Sequence, residues 1–331
     1  MPNNYKPSYR KQKTVLNTST KVIIALLVVL VLTLSAFLIK VIVGNALKPD
    51  ITYPPEQSGP LTDAPQTDAE ETETDESVRV RALESSKFDV KSGSLLLVNK
   101  TTGYTLPASA ELVNLYDSRH DNFTLATVSE RLAPEAYEAL CRMTDACAER
   151  TGYCPIMVTS SYRDIEAQQK YYDDYVVNES DKAYVELPGF SDHHTGLGFD
   201  VKIYDRDGAS YGFGRYAAEK VPWILENYKY YGFIIRYPAN KGDFTGIDGE
   251  SNHFRYVGLP HSVYITENNI CLEEYLTAVK RYTQEKPLEI TVDHDEYAVW
   301  YCKGDTVYVP YDGDYEVSGD NTGGFIVTVR K

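Results

Sequence analysis

An α+β domain with a small β-rich unit at its C-terminal end, set behind a single membrane anchor, is what the sequence predicts. Three observations lead there. An uncharged apolar run near the start is long enough to span a bilayer. Helical and strand-like segments then mix without the regular β-α-β alternation of a doubly wound fold. After Pro287 helical periodicity stops, and short β-rich runs with turn dipeptides such as Asp312-Gly313 take over.

Residues 1–21 hold Lys6, Arg10, Lys11, Lys13 and Lys21 and no acid, and residues 22–39 read "VIIALLVVLVLTLSAFLI" without a charge. Extended to Val43 the run has 22 residues, about 33 Å of helix against a hydrocarbon core of roughly 30 Å. A cleaved signal peptide, whose cleavage site Gly44 and Ala46 could imitate, has an apolar run of only about 7–15 residues. The basic flank therefore predicts a cytoplasmic tail at 1–21, a transmembrane anchor at 22–43 and a chain that continues outside.

Residues 44–90 read as an acidic, disordered linker. Its stretch 50–76 has nine acids and neither Lys nor Arg, and it buries too little apolar surface to offset the entropy of ordering. The whole chain of 331 residues carries a formal charge of −15, which leaves no basic surplus for phosphates and excludes a general nucleic-acid binder. The five cysteines, Cys141, Cys147, Cys154, Cys271 and Cys302, all follow the anchor and form no C-x-x-C pair. That argues against a thiolate zinc site. Outside the cell disulfides are permitted, and Cys147 could reach Cys154 across a helix end.

The main domain is placed at 91–286. "GSLLLVNK" (93–100) reads as a strand, and 133–150 as a helix with Pro134 in its first turn. "PIMVTSSYR" (155–163) reads as a buried strand with a polar end, followed by a helix over 164–176. A strand at 198–204, a helix over 216–231, two β-like runs at 232–238 and 253–258 and a helix over 272–284 complete it. Residues 287–331 form the β-rich unit.

The chemistry concentrates in "SDHHTGLGFD" (191–200) and "ESNHFRYVG" (250–258). His193 and Asp200, seven apart across a glycine-containing turn, could converge on a metal if Asp200 lies on a following strand. A catalytic zinc site takes three such ligands and keeps one position for water. Glu250 and His253 are three apart, so one can bind the metal while the other serves as general base. A polar loop with no metal fits the same spacing.

These motifs resemble the zinc D-Ala-D-Ala carboxypeptidases, the VanX and VanY family. Residues 191–200 are similar to its S-x-H-x-x-G-x-A-x-D signature, and 250–258 to its E-x-W-H segment. "SSYRDIEAQ" (160–168) and "YGFIIRYP" (231–238) are similar to two further family stretches. The four come in the family's order over roughly 95–280, with the VanY-like branch nearest. The resemblance implies one Zn²⁺ per chain on His193, Asp200 and His253, with Glu250 as catalytic base. It places Arg163 on the substrate's terminal carboxylate, for which a planar guanidinium is suited. Ser160 and Gln168 match polar positions near that arginine, and Ser191 matches a serine that contacts substrate or braces the loop.

Three departures stand out. Asp192 and Gly198 replace a usual glutamate and alanine, and Asn252 stands where tryptophan is usual, which removes a wall of the substrate pocket. His194 is expected to support the site or face solvent, His261 to close a turn or cap a helix, and His120 and His294 to lie on the surface. The tyrosine-rich "NYKYYGF" is read as core in preference to a sugar-stacking platform. The implied substrate is a peptidoglycan stem peptide in a bacterial cell envelope, with no protein partner. An L,D-carboxypeptidase and a non-catalytic wall-binding protein are the alternatives.

Overall fold

The computed structural model describes residues 78–178, 185–247 and 249–331. The predicted tail, anchor and linker as far as residue 77 lie outside the described residues, among which no helix is long and apolar enough to cross a membrane. The chain runs through β1 (Val80–Glu84), β2 (Val113–Asn114), β3 (Thr124–Leu125), β4 (Arg131–Leu132), α1 (Pro134–Thr151), β5 (Ile156–Ser160) and α2 (Ile165–Asn178). There follow β6 (Gly198–Tyr204), β7 (Ser210–Gly212), α3 (Phe213–Lys220), α4 (Pro222–Asn227), β8 (Phe233–Tyr237), α5 (Gly242–Thr245) and β9 (Glu250–Tyr256). Helices α6 (His261–Glu267) and α7 (Leu272–Val279) lead to β10 (Leu288–Val292), β11 (Asp295–Lys303), β12 (Thr306–Pro310), β13 (Tyr315–Gly319) and β14 (Gly324–Arg330).

A six-stranded sheet in the order β3-β5-β6-β9-β8, with β7 beside β6, forms the centre. Only β3 and β5 run parallel; the other pairs are antiparallel. This mixed sheet with irregularly placed helices is the α+β class expected. Its apolar side stacks Phe199, Phe233 and Phe254 against Leu140 and Met143 of α1. Helix α1 presents Ala136, Ala139, Leu140, Met143 and Cys147 at helical spacing and ends on Gly152, whose φ of 80° is the left-handed conformation a helix C-cap requires. Cys147 and Cys154 do come near each other, as free thiols.

Four expectations change. The helix over 216–231 is broken into α3, α4 and a 3₁₀ turn (Tyr228–Tyr231), because Pro222 lacks an N–H and drives Val221 out of the helical region, to φ −137° and ψ 47°. The helix from 272 stops at Val279, and α6 was not anticipated, since seven residues give too short a periodic signal. The linker does not extend to residue 90. Val80–Glu84 pairs along its whole length with β12, and Val80 and Leu83 pack against the cluster around Trp300.

The fourth change is the expected strand at 93–100. The segment is extended and Leu95, Leu96 and Val98 are buried, but it joins no β-ladder apart from an isolated bridge between Asn99 and Thr102. Two buried arginines take the place of a neighbouring strand. Arg255 Nη2 donates to the carbonyls of Ser94 (3.1 Å) and Leu96 (2.9 Å), and Arg236 Nη2 to that of Val98 (2.9 Å). The other edge is held by the C-terminal unit: Leu97 N donates to Asp320 O and Asn321 Nδ2 to Leu97 O.

That unit is a four-stranded antiparallel sheet, β10-β11-β14-β13. It is packed on the main domain through one apolar cluster joining Val263, Leu272 and Leu276 to Leu288, Val299 and Ile326. His261 opens α6 inside this seam, with Nδ1 against Tyr275 Oη (2.5 Å) and Nε2 against Thr328 Oγ1 (3.0 Å).

Candidate active site

Register brings the site together. Across β5, β6 and β9 the residues Ser160, Asp200 and His253 stand directly opposite one another, so Asp200 and His253 project on one face. His193 arrives from a 3₁₀ turn (Asp192–Thr195) just before β6. Ser191 Oγ accepts from the His193 N–H (3.4 Å), and Gly196 ends the turn at φ 71°. Ser191 is 0% exposed. Of its two possible roles, bracing the loop is the one it fills.

His193 Nε2 lies 3.3 Å from Asp200 Oδ2, and His253 Nδ1 lies 2.9 Å from Asp200 Oδ1. The three ligand atoms fall within 4.8 Å of one another. The far nitrogens decide whether these rings can hold a metal. His193 Nδ1 donates to the Ser161 carbonyl (2.7 Å), which leaves Nε2 as the free lone pair. His253 Nε2 faces Asp192 Oδ2 (3.2 Å), which leaves Nδ1. Both rings are thus oriented by outer acceptors as metal-binding histidines usually are. Electrostatics agree. Burial would lower the His253 pKa, but Asp192 and Asp200 carry it to about 10, so these carboxylates favour a cation beside them, whether a proton or a metal ion. Burial would raise Asp200, yet His193 and His253 hold it well below the usual carboxylate range. The donors fit a divalent zinc ion.

Glu250 opens β9 opposite Tyr237. Burial, with Asp200 and Glu186, raises its carboxyl to about 7 against the opposing pull of His253 and Arg163. Such a group can accept a proton at neutral pH and return it. Glu250 also lines a cleft of about 280 Å³ with Asn252, Gly214 and Arg215, on the side of α3, and that lining includes neither the His-Asp-His triad nor Arg163.

Arg163 is aimed by neutral groups. Its Nε donates to Gln168 Oε1 (2.7 Å), its Nη1 donates to Ser160 Oγ, and its guanidinium lies over the Tyr171 ring at 4.5 Å. Gln168 is fully buried and anchored by Nε2 on the Glu186 carbonyl (2.8 Å). Gln168 and Ser160 therefore orient the arginine. His194 is buried too: Nδ1 bonds the Arg163 carbonyl (2.7 Å) and Nε2 accepts from Gly189 N (2.9 Å). It ties the metal loop to the arginine loop and faces away from the triad.

Sequence reasoning missed the layer behind the ligands. Asp192 is completely buried, and its Oδ1 accepts from Arg255 Nη1 and, at 3.4 Å, from Arg236 Nε. Arg236 is shared with Glu273 (2.7 Å). Burial would raise the Asp192 carboxyl, but Arg255, His253 and Arg236 keep it ionised. Tyr237 was missed as well. Its hydroxyl bonds Glu186 Oε1 (2.5 Å), and its ring centroid is 5.1 Å from that of His253. A signal did exist for the arginines: one charge inside each apolar strand, "FIIRY" and "HFRY", must find a buried partner.

Gly198 has a concrete reason. A Cβ there would stand 2.5 Å from Asp192 Oδ2 and 2.8 Å from His253 Nε2. The aspartate-to-histidine contact passes directly over its Cα, where an alanine methyl would intrude. Asp192 thus reaches His253 across a residue without a side chain.

A His-Asp-His triad that could hold a metal ion, beside a buried glutamate poised to exchange a proton, defines a hydrolytic type of site. The family model described as VanY, D-alanyl-D-alanine carboxypeptidase, matches residues 129–259. A D-alanyl-D-alanine carboxypeptidase of Enterococcus faecium is 35% identical over 251 residues, 72% of this chain and 76% of that one. A second, from Enterococcus faecalis, is 31% identical over 204 residues, 58% of this chain and 69% of that one. The crystal structure of the vancomycin-resistance D,D-dipeptidase VanXYg, bound to a D-Ala-D-Ala phosphinate analogue, is similar with a TM-score of 0.62 and 27% identity. The likeness covers 77% of this chain and 99% of that one. The chain belongs to the VanY family of D-alanyl-D-alanine carboxypeptidases, and it is a peptidase.

Proposed function

We propose that this carboxypeptidase is zinc-dependent, is held at the bacterial cell membrane by residues 22–43 with its catalytic domain outside, and removes the terminal D-alanine of peptidoglycan stem peptides. The observation that carries this reading is the closeness of two unlike groups, Arg163 N donating to the His193 carbonyl at 3.3 Å. Arg163 makes no ion pair among the described residues, and the His193, Asp200 and His253 donors stand ready-oriented beside it. Zn²⁺ on His193 Nε2, Asp200 and His253 Nδ1 would supply Lewis acidity to a water and to the scissile carbonyl.

The chain's own residues do the rest. Arg163 receives the substrate's free carboxylate, which fixes the register so that the last peptide bond is presented. Glu250 takes the proton of the attacking water as oxygen adds to the carbonyl carbon. It then returns that proton to the nitrogen of the departing D-alanine as the C–N bond breaks. Asp192 and the Ser161 carbonyl hold the imidazoles in the required tautomers.

A second reading, cleavage of tetrapeptide stems as an L,D-carboxypeptidase, rests on Asn252, which stands next to His253 where the resembled family usually has tryptophan. Product analysis on both stems separates the two. The account expects a chelator-sensitive release of one D-alanine from the pentapeptide ending in D-Ala-D-Ala. Preferential attack on the tetrapeptide would transfer the assignment to the second reading.

A further inference from the structure

At the far end of β9 from Glu250 lies a cleft of about 560 Å³ between the central sheet and the C-terminal sheet. Six residue steps separate Glu250 from Tyr256 at this end, about 20 Å of strand. One wall comes from the 3₁₀ turn and from β9 (Tyr230, Tyr231, Tyr256). The other comes from β11 and β13 (Tyr297, Tyr315). This second wall lies beyond residues 129–259, the part of the chain that matches the family model.

The lining is unusual in three ways. Five of its side chains are tyrosines, and Leu259 is the one aliphatic, so a lipid or acyl chain, which calls for mostly apolar walls, is a poor fit. The hydroxyls of Tyr231, Tyr256, Tyr297 and Tyr315 have no hydrogen-bond partner in the protein among the described residues, and none is sealed from solvent. The charged lining is mixed: Arg142 and Arg330 stand with Asp314 and Glu316, and Arg330 is already paired with Asp295 (2.6 Å), so a polyanion would meet two carboxylates. Flat ring faces with free hydroxyls, beside planar guanidinium and carboxylate groups, suit a neutral polyhydroxylated ring. Its C–H face stacks on the aromatic ring while its hydroxyl and amide edges pair with the polar groups. The volume lies within the range of about 300–1,000 Å³ usual for small-molecule sites.

We propose that this cleft is a saccharide-binding site, built jointly by the catalytic domain and the C-terminal sheet, that holds the amino-sugar backbone of the polymer whose stem peptide is cut. The tyrosine-rich "NYKYYGF" stretch is then in part the platform that the sequence reading set aside in favour of core. The identity of the sugar rests on the stem-peptide reading above; the cleft's chemistry does not.

The test titrates the full chain in detergent with chitotetraose, the β-1,4-linked tetramer of N-acetylglucosamine, by calorimetry. Trp223, whose ring is 6.0 Å from that of Tyr231, supplies a fluorescence readout. Saturable binding is expected, weakened about tenfold in Tyr230→Ala/Tyr315→Ala through the lost ring contacts. Hydrolysis of a short acyl-D-Ala-D-Ala should stay within about twofold in that variant, while release of D-alanine from polymeric peptidoglycan falls several-fold. Arg142→Gln, on an exposed side chain, gives a second variant should the tyrosine pair disturb packing. Absence of chitotetraose binding in a wild type that cleaves the short peptide overturns the proposal, as does binding that both variants leave unchanged. Binding of a sugar-free stem peptide in the cleft overturns it in favour of a peptide site. If chitotetraose binds and the variants weaken it, but the wild type cleaves no D-Ala-D-Ala peptide, the cleft stands and the stem-peptide reading falls.

Discussion

Arg163 and the pair Arg236 and Arg255 are the same side chain put to opposite uses. The buried pair is closed. Arg255 and Arg236 meet Asp192, Arg236 also meets Glu273, and the other guanidinium donors go to the carbonyls of Ser94, Leu96, Val98 and Tyr256. Arg163, at the pocket, is aimed just as firmly but by a serine, a glutamine and a tyrosine ring, none of which cancels its charge. An arginine matched by carboxylates inside a protein shapes the fold. One positioned by neutral groups keeps its charge for a ligand.

The largest effect should come from breaking the closed pair. Arg255→Ala leaves Asp192 buried without its main counter-charge and the Ser94 and Leu96 carbonyls without donors. A loss of about 3–5 kcal/mol of stability is expected, read as a lowered urea midpoint. If Arg255→Ala unfolds at the wild-type midpoint, the pair is not structural.

The open arginine should behave in reverse. Arg163→Lys keeps a charge but loses the two-pronged contact, so turnover of acyl-D-Ala-D-Ala should fall by about 10- to 100-fold while the urea midpoint stays put. A C-terminally amidated peptide should be a poor substrate for the wild type, and the variant should lose little more on it. Equal wild-type rates on acid and amide would remove Arg163 from the carboxylate.

How far the sequence was legible follows the same division. His193, Asp200, His253 and Glu250 sit in two short motifs, and the strand register that joins them needs only β6 and β9 side by side. Arg163, Ser160 and Gln168 fall within nine consecutive residues. The supporting layer was not legible. Asp192 finds Arg236 and Arg255 at separations of 44 and 63 residues, and Arg255 reaches Leu96 across 159. No local pattern encodes such pairings. The 93–100 run has a strand's apolar spacing; that its carbonyls are answered by guanidinium groups is a tertiary fact. Pro222 is visible in the sequence, and it outweighs the helical spacing on both sides of it.

Gly198→Ala sharpens the link between the two layers. The added methyl would push Asp192 away from His253, so zinc affinity should fall by about 10- to 100-fold, the usual cost of disturbing a metal ligand's outer partner. The ligands themselves remain. Competition against a chromogenic chelator measures it, and an unchanged affinity would make the Asp192 contact irrelevant to metal binding.

His261 offers the smallest effect, from a buried group that stays neutral. Burial lowers its pKa to about 3, below the value of about 6.5 in an unfolded chain, so protonation favours unfolding. Its contribution is complete above about pH 6.5 and drains as the pH falls toward 3, by at most about 1.4 kcal/mol per unit. Urea midpoints at pH 7 and pH 5 should differ more for the wild type than for His261→Gln. Equal differences would exclude His261 as the cause.

The central claim is that Glu250 moves the proton and His253 holds the metal, two neighbours in one motif with separate duties. Zinc content by atomic spectroscopy, measured beside the rate on acyl-D-Ala-D-Ala for Glu250→Gln and His253→Ala, tests it directly. Glu250→Gln should keep zinc near one per chain while turnover falls by about 10²- to 10⁴-fold, and His253→Ala should lose zinc and turnover together. Loss of zinc in Glu250→Gln, or zinc and activity both kept in His253→Ala, would contradict the account.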